Sequence, residues 1–336
     1  MREALLYHKL AGQRVSCYLC AHLCTIAAGQ AGVCQVRENR DGTLYSLVYG
    51  QAGPPQIDLV EKSPLFHFHP GSKTYSLATP GCNFRCSWCP TAGLSPRPGA
   101  HAFPGGEEAR PEQVVARARQ AGCHSITYTY GEPTVDFEFT YDTARLAHEA
   151  GLANIYMTNG YMTPEMLEQL SPYLDAANVG LQSFRDETYR QHMGARLQPV
   201  LDSIATIKRQ GVWLEIATLV VPNVNDDPAE LRETARFVAQ LGVETPWHVT
   251  RFVPAYRMRT PGETPLSILE KARDIGKEEG LRYIYIGNVP TRGSLDTLCP
   301  VCSRTLIVRR GFAMVANDLH SEACPDCGTA VAGVNL

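Results

Sequence analysis

Residues 74–90 read TYSLATPGCNFRCSWCP. TYSLA is a β-branched and aromatic run of strand length, Thr-Pro-Gly ends it in a turn, and three cysteines follow as C-x3-C-x2-C at Cys82, Cys86 and Cys89. Thiolates are soft ligands suited to iron–sulfur clusters, and three in such a short stretch wrap one face of a cubane. No fourth cysteine follows nearby. A closed structural site uses four ligands, whereas three leave one iron free to chelate a small molecule. The competing reading is a zinc knuckle completed by a distant Cys or His.

Outward from this stretch, strand-like runs recur at HSITYTYG (124–131), NIYMTNG (154–160), NVGLQSF (178–184), WLEIATLVVP (213–222), WHVTRFVP (247–254) and RYIYIGN (282–288). Amphipathic helical blocks separate them: PEQVVARARQAG, FTYDTARLAHEAG, TPEMLEQLSPYL, LQPVLDSIATIKRQG, PAELRETARFVAQLG and LSILEKARDIGKEEG. Such alternation predicts an α/β fold with a parallel sheet and right-handed crossovers. Six or seven units suit a partial (β/α)6-type TIM barrel, with the ligand site at the C-terminal strand ends, where Cys82, Cys86 and Cys89 lie.

Eleven of the twelve cysteines fall into three tight groups, a pattern of metal ligands in a reducing compartment rather than of disulfides. They divide the 336 residues into an N-terminal Cys-rich metal-binding module (1–62), a core barrel (72–288) and a C-terminal module (296–336). Cys17, Cys20, Cys24 and Cys34 form C-x2-C-x3-C-x9-C, a closed set. Structural zinc is the first reading for it, and an auxiliary iron–sulfur cluster relaying electrons is the second. His22, inside that loop, reads as a residue with a backbone partner rather than a ligand. Cys299, Cys302, Cys324 and Cys327 have the spacing of a zinc-ribbon or rubredoxin-like site, where four thiolates favour zinc. Cys123 stands alone and reads as a small buried apolar residue.

Hydrophobic residues make up 44% of the chain and charged residues 19%, with a formal net charge of −3, so composition carries no footprint for nucleic acid or an anionic membrane. The opening MREALLYHKLAGQRVSC lacks a signal-peptide core, and no apolar run reaches membrane-spanning length. A cytoplasmic protein is expected.

C-x3-C-x2-C on the loop after the first strand of a βα barrel, with an aromatic residue such as Trp88 before the last cysteine, resembles the signature of the radical S-adenosylmethionine (SAM) superfamily. The second strand ends in Gly131-Glu132-Pro133, similar to that superfamily's GGEP motif, whose backbone and Glu hold the SAM amino group. Thr158-Asn159-Gly160 after the third strand resembles the TNG of glycyl-radical-enzyme activases, which lines the SAM site. The chain departs from those activases at two places. Met157 stands where they carry Asp, and Gly180-Leu181-Gln182 stands where they carry Asp-Leu-Lys. The resemblance therefore implies no monovalent-cation site of their kind, and it moves recognition of the SAM carboxylate to another group, Gln182 or Arg251.

Over nearly its whole length the chain resembles the radical SAM component of the AmmeMemoRadiSam system, related to pyruvate formate-lyase activating enzymes. CYLCAHLCTIAAGQAGVCQVR, EKSPLFHF, TPGCNFRCSWCP, WHVTRFVPAYRM, CPVCSRTLIVRRGF and CPDCGTAVAG carry that resemblance. It implies a [4Fe–4S] cluster, reductive cleavage of SAM to a 5′-deoxyadenosyl radical, and abstraction of a hydrogen atom from a protein substrate. Memo-like and AMMECR-like proteins are the implied partners, with flavodoxin or ferredoxin as reductant. A non-catalytic metal-binding adaptor and a multi-centre electron-transfer protein are the rival classes.

Overall fold

The computed structural model describes residues 1–93, 107–291 and 293–336. Seven parallel strands form its centre: β1 Lys73–Ala78, β2 Ser125–Thr129, β3 Ala153–Thr158, β4 Ala176–Gly180, β5 Trp213–Val220, β6 Trp247–Arg251 and β7 Ile284–Gly287. Their order in the sheet follows their order in the chain, so the sheet winds in one direction around a single interior, as in a barrel. Gln56–Leu59 adds an antiparallel edge strand beside β1. Among the described residues this strand and β7 do not pair, and the barrel stays open.

Six helices connect the strands: α1 Pro111–Gln120, α2 Phe137–Glu149, α3 Pro164–Leu170, α4 Leu197–Arg209, α5 Pro228–Leu241 and α6 Leu266–Glu278. The result is six strand–helix units and a seventh strand, an α/β architecture of the expected kind. Local chemistry sets the helix starts. Thr163 Oγ1 accepts from Met166 N before Pro164, and Asp227 Oδ1 accepts from Ala229 N before Pro228. In α4, Leu197, Val200, Ile204 and Ile207 recur at helical spacing and are buried, which fixes the face turned to the sheet. None of the helices among the described residues is long and apolar enough to cross a membrane.

The N-terminal segment forms two small antiparallel sheets of strands two to four residues long. Its anchor to the barrel is a buried ion pair, Arg37 to Glu138 of α2 at 3.0 Å, with Leu5 N donating to the same carboxylate.

Residues 61–68 then cross the interior near the starts of the strands. Asn178 donates to Pro64 O, and Glu215 accepts from the Phe66 and His67 backbone N–H groups. The C-terminal sheet, Thr297–Leu298, Thr305–Arg310 and Ala313–Asn317, closes over this crossing, burying Phe66, Tyr283 and Tyr285 against Leu306, Ile307 and Val331.

A directed hydrogen-bond chain joins the three layers. Arg309 donates to Thr297 Oγ1, Thr297 to Tyr285, Tyr285 to His67 Nε2 at 2.6 Å, and His67 Nδ1 to Ala332 O at 2.7 Å. The carbonyl of Ala332 can only accept, so the partners select this neutral tautomer. Burial holds His67 down at about 4. Glu215 accepts four hydrogen bonds, the fourth from His248 at 2.6 Å. Burial pushes the Glu215 carboxyl up, but His248 and the backbone donors outweigh it and hold it below the ordinary carboxylate range.

Candidate active site

The loop after β1 is shaped by a close approach. Gly81 has φ +110, and a Cβ there would stand 2.8 Å from Val36 of the N-terminal segment, so only glycine fits the turn that delivers Cys82. Backbone bonds from Arg85 N to Met193 O (2.9 Å) and Ser87 N to His192 O (3.0 Å) pin the remainder of the loop. Phe84 packs edge-on against Tyr161 and Tyr189, and buried Trp88 lies 5.4 Å from the His192 ring.

Cys82, Cys86 and Cys89 all face a cavity of about 360 Å³ at the C-terminal ends of the strands. That volume falls in the range of about 300–1,000 Å³ typical of small-molecule sites. Burial pushes the Cys82 thiol well above its ordinary value and Cys86 up to about 12, with neighbouring negative charge adding to both. Thiolates at Cys82 and Cys86 are therefore costly unless a cationic centre binds them, which is what an iron–sulfur cluster provides.

The ends of β2 and β3 are locked by one carboxylate. Glu132 Oε1 accepts from Thr134 N, Thr134 Oγ1 and Thr158 Oγ1, and Oε2 accepts from Asn159 N at 2.9 Å. Burial raises the Glu132 carboxyl against these hydrogen bonds, which lower it. Gly131 permits the fold of this corner, since a Cβ there would lie 2.1 Å from Thr79 O. Pro133 opens the short turn Pro133–Asp136 behind it and is buried. Asn159 Nδ2 donates to Asn83 Oδ1 at 2.7 Å and approaches Cys82 Sγ at 3.8 Å, which ties the TNG corner to the cysteine loop.

The two departures from the activase pattern sit side by side on the cavity wall. Met157 accepts a hydrogen bond from Thr129 through its thioether sulfur, so the position offers no charge. A Cβ on Gly180 would lie 2.6 Å from Gln182 Nε2, because the Gln182 amide folds back over Gly180. Gln182 is held there by Leu219 N donating to its Oε1 and Asn225 Nδ2 donating to its carbonyl. Gly180 and Gln182 are thus one device, in which the amide occupies the space an acidic side chain would need.

Among the expected site residues, the three cysteines, Gly131, Glu132, Thr158, Asn159 and Gln182 converge on the cavity wall. Trp88 and Pro133 support it from behind. Arg251 is not on the wall; its guanidinium donates to Thr264 O and pairs with Glu263 at 3.2 Å. Lys62 and Ser63, which spacing did not single out, enter the wall from the segment before β1. Lys62 is the cation among the described lining residues; its Nζ donates to Asp58 at 2.8 Å and lies 5.5 Å from the Tyr130 ring centre. It lies in EKSPLFHF, which carries the family resemblance without assigning Lys62 a role, and the first strand separates it from the cysteine loop.

The flanking cysteines form two further groups. Cys299 and Cys327 have sulfurs 3.5 Å apart, Cys302 and Cys324 3.6 Å apart, and all four lie within 4.8 Å of one another, a preformed pocket for one ion. Cys17 and Cys34 are buried, and Cys20 and Cys24 are half-buried, beside the cysteine loop of the barrel. His22 Nε2 donates to Asn83 O at 2.7 Å, the backbone role expected for it. Cys123 is buried.

Comparison with known proteins agrees with this geometry. A model of the radical SAM superfamily matches residues 76–238. An uncharacterized protein of Methanocaldococcus jannaschii is 42% identical over 98% of this chain and 99% of its own length. GTP 3′,8-cyclase of Aeromonas hydrophila is 30% identical over 43% of this chain and 44% of its own length. Pyruvate formate-lyase-activating enzyme of Clostridium pasteurianum is 23% identical over 48% of this chain and 67% of its own length. Among solved structures, Streptococcus suis SuiB bound to precursor peptide SuiA shares the fold, with a TM-score of 0.52 and 15% identity over 69% of this chain and 52% of that one. The chain belongs to the radical SAM superfamily, and membership implies a [4Fe–4S] cluster and SAM.

Proposed function

We propose that this radical SAM protein reductively cleaves SAM at a [4Fe–4S] cluster held by Cys82, Cys86 and Cys89, and that the reaction removes a hydrogen atom from a protein substrate. The observation that carries the reading is the convergence of three thiols with Gly131, Glu132, Thr158 and Asn159 on one cavity at the strand ends. When bound, the cluster supplies one electron to the SAM sulfonium, releasing methionine and a 5′-deoxyadenosyl radical.

The chain's own groups do the positioning. Glu132 fixes the β2 and β3 corners against each other and retains acceptor capacity on Oε2 for an ammonium group. In this reading Lys62 meets the SAM carboxylate, the duty that Lys on the fourth strand has in activases, and Gln182 adds a neutral donor. Apolar lining by Phe84, Met157 and Ala217 excludes water from the reacting carbon. The electron comes from a low-potential carrier of the flavodoxin or ferredoxin class. Zinc is the proposed occupant of the C-terminal four-cysteine pocket, whose short sulfur spacing suits a single ion.

A protein target is favoured by relatives named as activating enzymes. The full-length resemblance to AmmeMemoRadiSam radical SAM enzymes directs the search to Memo-like and AMMECR-like proteins. The test is turnover of the anaerobically reconstituted chain with dithionite and SAM, with mass spectrometry of 5′-deoxyadenosine. Product in the presence of such a partner protein, with deuterium carried from the labelled partner into 5′-deoxyadenosine, is expected. Absence of 5′-deoxyadenosine contradicts the enzyme reading; product without label transfer from the protein contradicts the protein target.

A further inference from the structure

The two groups of four cysteines differ in how their sulfurs are spaced. Around one tetrahedral ion with metal–sulfur bonds of about 2.3 Å, neighbouring sulfurs stand about 3.8 Å apart. The C-terminal group meets that requirement, with sulfur–sulfur contacts of 3.5 and 3.6 Å. Among the described residues it is the one group that gathers three or more such ligand atoms within 4.8 Å of one another. Cys17, Cys20, Cys24 and Cys34 all belong to the described residues and do not close to that spacing. Neither do Cys82, Cys86 and Cys89. Thiolates on the corners of a cubane are held apart by the iron and sulfide atoms between them, so a wider set is what a cluster requires.

The N-terminal group is nonetheless built as a ligand set. Backbone bonds from Cys17 N to Cys24 O (2.9 Å) and from Leu23 N to Cys20 O (3.0 Å) close the loop that carries the first three cysteines. Arg37, 2% exposed, lies within electrostatic reach of Cys17, Cys20 and Cys34. Its Nε is buried and has no hydrogen-bond partner, although both terminal nitrogens are engaged by Glu138 and Leu5 O. A buried donor left open beside four thiols is accounted for by an anionic centre at those thiols, because an orphaned guanidinium nitrogen is otherwise costly. The strands around it are only two to four residues long, so a centre bound by all four cysteines adds cross-links between segments that the short ladders join weakly.

We infer that Cys17, Cys20, Cys24 and Cys34 hold a second [4Fe–4S] cluster, closed by four thiolates and seated against the loop of the SAM-binding cluster. The seating is direct. His22, between two of the ligands, donates to Asn83 O, next in sequence to Cys82. Arg85 donates to Val33 O, and Cys20 bridges to Met162 just beyond the TNG corner. Leu23, flanked by Cys20 and Cys24, is 55% exposed, so the outer edge of the site reaches the surface. A closed site has no iron free for SAM, which distinguishes it from its neighbour.

Metal analysis of the full chain, isolated anaerobically and reconstituted with iron and sulfide, tests this without any assumption about SAM cleavage. About eight irons per chain with one zinc are expected. The chain carrying Cys82→Ala, Cys86→Ala and Cys89→Ala is expected to keep about four irons and, after reduction, an EPR signal that SAM leaves unchanged. About four irons and two zincs in the parent chain overturn the inference, and so does a triple variant that folds with zinc but no iron. Should the triple variant fail to fold, the iron count of the parent chain decides alone. Loss of SAM cleavage with eight irons retained would contradict the proposed function and leave this site standing.

Discussion

The two ends of the barrel solve opposite problems with similar residues. Each has a buried glutamate that draws neighbouring segments together, Glu132 at the C-terminal ends of β2 and β3 and Glu215 in the first half of β5. Glu215 is saturated by four donors, His248 among them, and is held below the ordinary carboxylate range. Glu132 keeps acceptor capacity on one oxygen, is pushed upward, and borders a cavity with three thiols. Where the carboxylate's acceptor capacity is used up the molecule is braced; where part of it is left open it can bind. Separating the two functions lets the reactive end carry costly chemistry without loosening the fold.

The largest test of this contrast is Cys86→Ala. It removes a ligand from the open end, so 5′-deoxyadenosine formation is expected to vanish while the unfolding temperature of the apoprotein stays within a few degrees of the parent. Unfolding of this variant would mean that the cavity end is structural too. Glu215→Ala is the reverse case. It leaves His248, the Trp213 indole N–H and two backbone N–H groups without this acceptor, and an expected loss of about 3–5 kcal/mol should appear in denaturant unfolding. Per folded molecule, SAM affinity should not change.

Acid should weaken the braced end. His67 is held near 4 when folded, against 6.5 in the unfolded chain, so the unfolded state binds more protons between these values. Stability is then fully present above about pH 6.5 and falls as pH drops toward 4, by about 3 kcal/mol from this residue. Glu215, also depressed on folding, acts in the same direction at lower pH. Unfolding midpoints measured from pH 7 to pH 4 check this, and a His67→Gln chain should show a shallower decline. The smallest effect is expected for Lys62→Met, a roughly tenfold weaker SAM affinity by calorimetry, the size of one charge-assisted hydrogen bond. Unchanged affinity would return carboxylate recognition to Gln182 alone.

Much of the barrel was legible because its signals are local. Alternating β-branched runs and amphipathic helices with Pro164 and Pro228 at helix starts need no tertiary information. The cysteine loop, the GEP and TNG corners are likewise contiguous in sequence. What remained hidden is non-local. Lys62 reaches the cavity by packing of the segment before β1; the stretch EKSPLFHF around it carries the family resemblance but does not reveal that this side chain lines the cavity. The pairing of Gly180 with Gln182 depends on a side chain folding back across the strand, which sequence spacing does not reveal. Arg251, expected near the cavity from its place at a strand end, is engaged by Glu263 and Thr264 from the following loop, contacts that strand position does not reveal. The chain from Arg309 to Ala332 joins residues hundreds of positions apart from His67 and carries no motif at all.

The most direct test of the open-end account is EPR of the reduced, reconstituted chain before and after adding SAM. A cluster on Cys82, Cys86 and Cys89 with one iron open to the cavity is expected to change its signal when SAM binds, and the change should disappear in Cys86→Ala. A spectrum indifferent to SAM in the fully loaded parent chain would contradict it.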